Sequence, residues 1–185
     1  MPAAAVTGKP QPSSPTSAET RPRIELFTDG ACLGNPGPGG WAFILHHLGS
    51  GRRREASGGH PRTTNNRMEL LSAIRGLEAL DRPCEVTLIS DSQYVVNGLR
   101  EWMAGWKAKG WTRGRREPVK NVDLWKRLDT LRTTHAIAAQ WVRGHNDHPE
   151  NERCDQLASA AAQRASEGSS TDLDPEGGET ELFGL

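Results

Sequence analysis

The sequence predicts an α/β domain: a mixed five-stranded sheet flanked by helices, in the order βββαβαβα. Three observations lead to that class. Three strand-like segments precede the first helical pattern, and later segments alternate helix and strand. The segment Cys84 to Ser90 is largely apolar, as expected of a strand covered on both faces. Finally, the chain closes on a helical stretch, so both ends of the pattern can pack against one sheet.

Each element has its own signal. Ile24 to Thr28 reads as the first strand and runs into Asp29-Gly30. Trp41 to His47 is a second strand, and Arg52 to Ser57 a polar third one across the turn at 49–51. Met68, Leu71, Ile74 and Leu77 recur every three residues and mark a helix from Asn65 to Leu80, stopped by Pro83. Short helices follow the fourth strand through Ser92–Leu99 and Glu101–Met103. Val122, Trp125, Leu128 and Leu131 mark a further helix, His135 to Val142 a last strand, and Glu150 to Arg164 the closing helix. Residues 1–23, with five prolines and six Ser/Thr, read as a disordered leader. Residues 166–185, rich in Gly, Ser and acids, read as a disordered tail. The folded domain is expected at 24–165.

The 185 residues carry 23 basic and 23 acidic side chains. That zero is a sum of opposites. Residues 165–185 hold six acids and no base, whereas residues 100–120 hold seven bases and two acids, a net +5. A basic stretch of that density points to an anionic partner. No apolar run approaches 18 residues, which excludes a membrane span. Cys32, Cys84 and Cys154 are an odd, widely spaced set, expected to be reduced thiols of a cytoplasmic protein rather than a disulfide frame or zinc site.

Four acids occupy positions from which they can converge. Asp29 is expected to end the first strand and Asp91 the fourth; Glu69 and Asp155 lie in the first turns of the long helix and the last one. If the two strands are neighbours, the four carboxylates meet at one end of the sheet, where their repulsion favours divalent cations. Oxygen-only ligands suit Mg²⁺ or Mn²⁺. Spacing alone leaves ordinary surface acids or helix caps equally open.

The words around those acids go further. Phe27-Thr28-Asp29-Gly30-Ala31-Cys32-Leu33-Gly34-Asn35-Pro36-Gly37-Pro38-Gly39-Gly40 closely resembles the first strand and turn of bacterial ribonuclease HI, the type 1 ribonuclease H family. So do Thr63-Thr64-Asn65-Asn66-Arg67-Met68-Glu69-Leu70, Ser90-Asp91-Ser92-Gln93-Tyr94-Val95 and Pro118 to Trp125. Gly144-His145 and His148 to Asp155 complete the set, in the family's order, over about 24–164. The resemblance implies a ribonuclease H-like fold and an endonuclease that hydrolyses the RNA strand of RNA–DNA hybrids with two Mg²⁺ ions, for which Mn²⁺ can substitute. It implies 5′-phosphate and 3′-hydroxyl ends, and a part in removing RNA primers and R-loops during DNA replication. Asp29 would bridge the two ions, Glu69, Asp91 and Asp155 would complete their shells, and His145 would pass a proton or help product leave.

The same resemblance assigns the substrate contacts. Asn35, Asn65, Asn66 and Gln93 match residues that touch the minor groove, where the RNA 2′-hydroxyls lie. Arg62, Thr64 and Asn121 match a phosphate pocket for the DNA strand. The basic segment, with Lys107, Arg113, Arg115 and Arg116, resembles a protrusion that grips that strand. Trp102 and Trp106, four apart, share one helical face and are expected partly exposed beside the DNA; Trp111, Trp125 and Trp141 are expected in the core. The stretch Glu179–Leu185 resembles the short acidic-hydrophobic peptides with which bacterial replication proteins bind the sliding clamp. A monomer is expected. Two rivals stand beside this reading: a junction resolvase-like nuclease of the same superfamily, and a hybrid-binding module without catalysis. The first shares clustered acids but not the Thr63 to Leu70 word, and the second should lack at least one carboxylate, whereas all four are present.

Overall fold

The computed structural model describes residues 20–144 and 148–169. His145, the expected clamp-binding stretch Glu179–Leu185 and most of the leader lie outside them. The strands are β1 (Arg23–Cys32), β2 (Gly37–His47), β3 (Arg53–Thr63), β4 (Glu85–Ser90) and β5 (Ala136–Trp141). The helices are α1 (Asn65–Glu78), α2 (Gln93–Asn97), α3 (Met103–Ala108), α4 (Val122–Thr134) and α5 (Pro149–Ser166). The sheet order is β3-β2-β1-β4-β5. The first three strands pair antiparallel, and β1–β4 and β4–β5 pair parallel. This is the mixed five-stranded sheet that the sequence predicts.

The apolar patterns explain the layering. Alternation along β1 sends Ile24 and Leu26 to one face and Phe27 and Asp29 to the other. On the first face Ile24, Leu26, Val86 and Leu88 pack with Leu71, Ile74 and Leu77 of α1 and with Leu124, Trp125 and Leu128 of α4. On the second, Phe27, Ile44, Ile89 and Val142 enclose Cys154 of α5. Arg127 of α4 forms a two-pronged ion pair with Glu78 of α1, at 2.6 and 2.7 Å, and fixes the two helices together. All three cysteines are free thiols. Among the described residues no helix is long and apolar enough to cross a membrane.

Four differences from the expected elements have physical causes. β2 starts at Gly37 rather than Trp41, because its glycines carry no side chains to alternate yet pair with β1 and β3. Gly40 is required there: a Cβ would stand 2.2 Å from the Ala158 oxygen, so α5 rests directly on the strand backbone. β3 likewise runs to Thr63, through Gly58 and Gly59, instead of stopping at Ser57. The helices after Ser92 do not end at Met103 but continue, through one wide π turn over Gly98–Trp102, to Ala108. Lastly, Trp141 is not a core residue. It ends the edge strand β5, whose residues are exposed or half-buried throughout, and is 43% exposed.

Candidate active site at the end of the central strands

The last parallel pair between β1 and β4 is Phe27 with Ile89. Asp29 and Asp91 each lie two residues further on, so the register alone sets two carboxylates side by side on adjacent strands. β1 continues to Cys32, so Asp29 stands inside the strand and not at its end, while Asp91 follows the last residue of β4. Glu69 comes from α1, whose start is capped by the Thr64 side chain accepting from the Arg67 amide. Its approach depends on Gly30, where a Cβ would lie 2.3 Å from the Glu69 nitrogen and 2.5 Å from the Met68 carbonyl carbon. Replacing Gly30 by Ala should therefore push α1 away, lower the unfolding midpoint by roughly 3–10 °C and slow catalysis by moving Glu69. Thermal melts and rate measurements on that variant check both effects.

Hydrogen bonds aim these groups. The Gly30 amide donates to Asp29 Oδ1 at 2.7 Å. Glu69 receives Asn65 Nδ2 at 2.8 Å and, on its other oxygen, the Ser92 hydroxyl. Ser92 also caps α2, accepting from the Val95 amide at 3.2 Å, so one side chain ties Glu69 to the residue after Asp91. Asp91 Oδ2 receives Asn151 Nδ2 at 3.3 Å, and the Asp91 peptide oxygen receives the Trp141 indole N–H at 3.0 Å. Asp155 follows Asn151 by four residues on α5 and therefore lies on the same face.

The four acids are electrostatically one group. Burial pushes the Asp29 carboxyl up to about 8, and Asp91, Asp155 and Glu69 push the same way against the Gly30 amide. Glu69 is also raised, by burial first and then by Asp91, with the Ser92 and Asn65 hydrogen bonds opposing. Such a cluster calls for a cation. Among the described residues no three His, Cys, Asp or Glu side chains form a ready-made metal cage. An open, oxygen-only rim suits Mg²⁺, which keeps several waters and takes one or two carboxylates together with substrate phosphate.

Of the expected substrate residues, Asn65 bonds the rim at Glu69 and Asn35 joins it through Asn65. Asn35 Oδ1 accepts from the Asn65 amide at 3.3 Å, joining the β1–β2 turn to the start of α1. Asn66 and Gln93 are exposed at the starts of α1 and α2. Thr64 and Asn121 are brought together through Arg67, which donates to Asn121 Oδ1 at 3.5 Å and holds Asp123 with two bonds. Arg62 is exposed near the end of β3. Trp102 is 36% exposed and Trp106 half-buried, in a chain of tilted and edge-to-face rings from Tyr94 to Trp125. Trp125 is fully buried and Trp111 half-buried against the core. Lys107 pairs with Asp129 at 2.8 Å and Arg113 with Glu117 at 3.4 Å, whereas Arg115 and Arg116 extend from an exposed turn.

Sequence reasoning misses Arg67, Ser92, Trp141 and Asn151. Three of them stand inside the family-like words, beside residues that carry an expected role. Trp141 has no such signal, because an aromatic residue in a strand reads as core.

Comparison with known proteins gives the family. The RNase H family model matches residues 21–163. Ribonuclease H of Pseudomonas fluorescens (strain Pf0-1) is 60% identical over 141 residues, 76% of this chain and 91% of that one. Ribonuclease HI of Caulobacter vibrioides is 54% identical over 144 residues, 78% and 95% of the two chains. Among solved structures, LC9-RNase H1, a type 1 RNase H with the type 2 active-site motif, superposes with a TM-score of 0.72 at 34% identity, covering 80% of this chain and 75% of that one. By fold and by sequence over most of its length, the chain belongs to the ribonuclease H family.

Proposed function

We propose that the protein is an endonuclease that hydrolyses the RNA strand of RNA–DNA hybrids, leaving 5′-phosphate and 3′-hydroxyl ends. One observation carries this reading: β1, α1, α5 and the residue after β4 each contribute a carboxylate to one cluster at the end of the central strands. Two Mg²⁺ ions, replaceable by Mn²⁺, supply the positive charge that the attacking water and the leaving oxygen need. Asp29, Glu69, Asp91 and Asp155 would hold these ions; Ser92, Asn65, Asn151 and the Gly30 amide keep the oxygens of Glu69, Asp91 and Asp29 aimed. His145 serves on the resemblance alone, its imidazole passing a proton or easing product release.

Recognition follows the chemistry of the two strands. Asn35, Asn65, Asn66 and Gln93 offer donors and acceptors to the RNA 2′-hydroxyls beside the carboxylates. Thr64, Asn121 and Arg62 take a DNA phosphate, and the basic turn with Trp102 and Trp106 grips the same strand further along. Primer and R-loop removal in the bacterial cytoplasm, action as a monomer and docking of Glu179–Leu185 on a sliding clamp belong to this proposal. So do the leader at 1–23, the catalytic domain at 24–165 and the tail at 166–185.

The test offers four labelled substrates, hybrid, duplex RNA, duplex DNA and a four-way junction, with and without Mg²⁺. Mg²⁺-dependent cleavage confined to the RNA of the hybrid is expected. Junction cutting would turn the reading toward a resolvase, and hybrid binding without any cleavage toward a non-catalytic module.

A further inference from the structure

Trp141 is a large apolar side chain at the end of an edge strand, 43% exposed, with its one polar atom committed at the proposed site. Burial does not account for its orientation. Leu128 and Trp125 fill the core beneath the neighbouring helices without it. What its indole N–H does is donate to the Asp91 peptide oxygen at 3.0 Å. That oxygen lies at a break in the regular bonding. The β4–β5 ladder ends with Ser90 opposite Trp141, and the Val142 amide donates to the Ser90 oxygen. α2 begins only at Gln93, where its first turn uses the Ser92 oxygen, accepting from the Val96 amide. Asp91 thus sits in a junction outside the ladder and the helix, where side chains hold the Asp91–Ser92 peptide from both sides: the Ser92 amide donates to Ser90 Oγ at 3.1 Å, and the Asp91 oxygen accepts from Trp141.

The Asp91 side chain is held from a second direction, by Asn151 Nδ2 on its Oδ2. A bond to the side chain alone fixes the carboxylate only as well as the backbone beneath it is fixed. We infer that Trp141 is a positioning residue for Asp91: its indole N–H anchors the Asp91 peptide and so sets where the carboxylate stands relative to Asp29. This rests on the reading of the four carboxylates as the metal-binding rim. It concerns a residue that touches neither metal nor substrate in that reading. Like other outer hydrogen bonds that orient ligands, it acts through metal affinity and turnover rather than through binding of the nucleic acid.

Trp141→Phe keeps a large ring and removes the donor. The full chain, this variant and Asp29→Asn are compared in three ways: hybrid cleavage across Mg²⁺ concentrations, calorimetric titration of Mg²⁺ into the free protein, and thermal melting. The expected result for Trp141→Phe is a fall in kcat of about tenfold and a Mg²⁺ requirement raised several-fold. Calorimetric Mg²⁺ binding weakens in step, with KM for the hybrid and the melting point near wild type. Wild-type kcat and Mg²⁺ binding in Trp141→Phe would overturn the inference. So would a raised KM at unchanged kcat, which marks a substrate-stacking surface, or a fall in melting point large enough to account for the lost rate. Should Asp29→Asn cleave normally, or the wild-type chain bind no Mg²⁺, the reading of the rim fails first and takes this inference with it.

Discussion

Asp29→Asn should abolish hybrid cleavage and at the same time stabilise the metal-free protein. The substitution keeps the shape of the side chain and its acceptor for the Gly30 amide, but removes the charge at the centre of the cluster. In the proposed reading this takes away the central carboxylate of the metal-binding rim, so cleavage should fall to background. The stability gain follows from the raised Asp29 carboxyl, about 8 in the folded chain against an ordinary 3.8. Between those values the folded state binds more protons than the unfolded one. Stability therefore falls as pH rises through that window, by up to about 1.4 kcal/mol per pH unit. An asparagine carries no such penalty. The melting point of Asp29→Asn should exceed that of the metal-free wild type by several degrees at pH 8, and the gap should close toward pH 4. Adding Mg²⁺ should also narrow it, because the ion stabilises only the chain that binds it. A pH-independent gap would mean that burial and repulsion at Asp29 are not its source.

The same cluster explains how much of the molecule the sequence makes legible. The helix α1 is plain because Met68, Leu71, Ile74 and Leu77 repeat at its period, and β4 because its residues are covered on both faces. The four acids can be picked out because each belongs to a word that resembles the ribonuclease H family, where spacing alone leaves ordinary surface acids open. What period and composition do not carry is backbone contact. Gly37 to Gly40 reads as a turn since glycines show no alternation, yet it is strand, and α5 lies against its Gly40. The continuous helical run from Gln93 to Ala108 is obscured by a π turn, which breaks the spacing of its apolar residues. Trp141 reads as core because hydrophobicity says nothing of a strand's place at the sheet edge. The hydrogen bonds of Ser92, Asn151 and Trp141 are products of tertiary packing, and no local pattern announces them.

Replacing both Arg115 and Arg116 by glycine should weaken hybrid binding without weakening the fold. Both residues adopt left-handed backbone, with φ of 59° and 61°, in an exposed turn that follows Trp111 at φ 65°. That conformation costs an arginine about 1 kcal/mol or more, and glycine almost nothing. The turn is closed independently of those side chains, by the Arg113 amide donating to the Glu117 oxygen at 2.8 Å and the bridge between Thr112 and Pro118. Local stability alone therefore argues for glycine at both positions, yet the chain carries arginine at each. Their charges are the reason that remains, since Lys107 and Arg113 already face acidic partners while these two extend from the surface. In the double glycine variant the melting point should hold or rise. KM should increase about tenfold at ~0.1 M salt, and the salt dependence of binding should flatten by roughly 0.9 in logarithmic slope for each phosphate that the variant leaves unneutralised. Turnover at saturating hybrid should stay near wild type, because the carboxylates stand on β1, α1, α5 and the end of β4, none of which the turn supports. An unchanged KM and slope, with a higher melting point, would mean that the strained turn serves some purpose other than gripping the substrate.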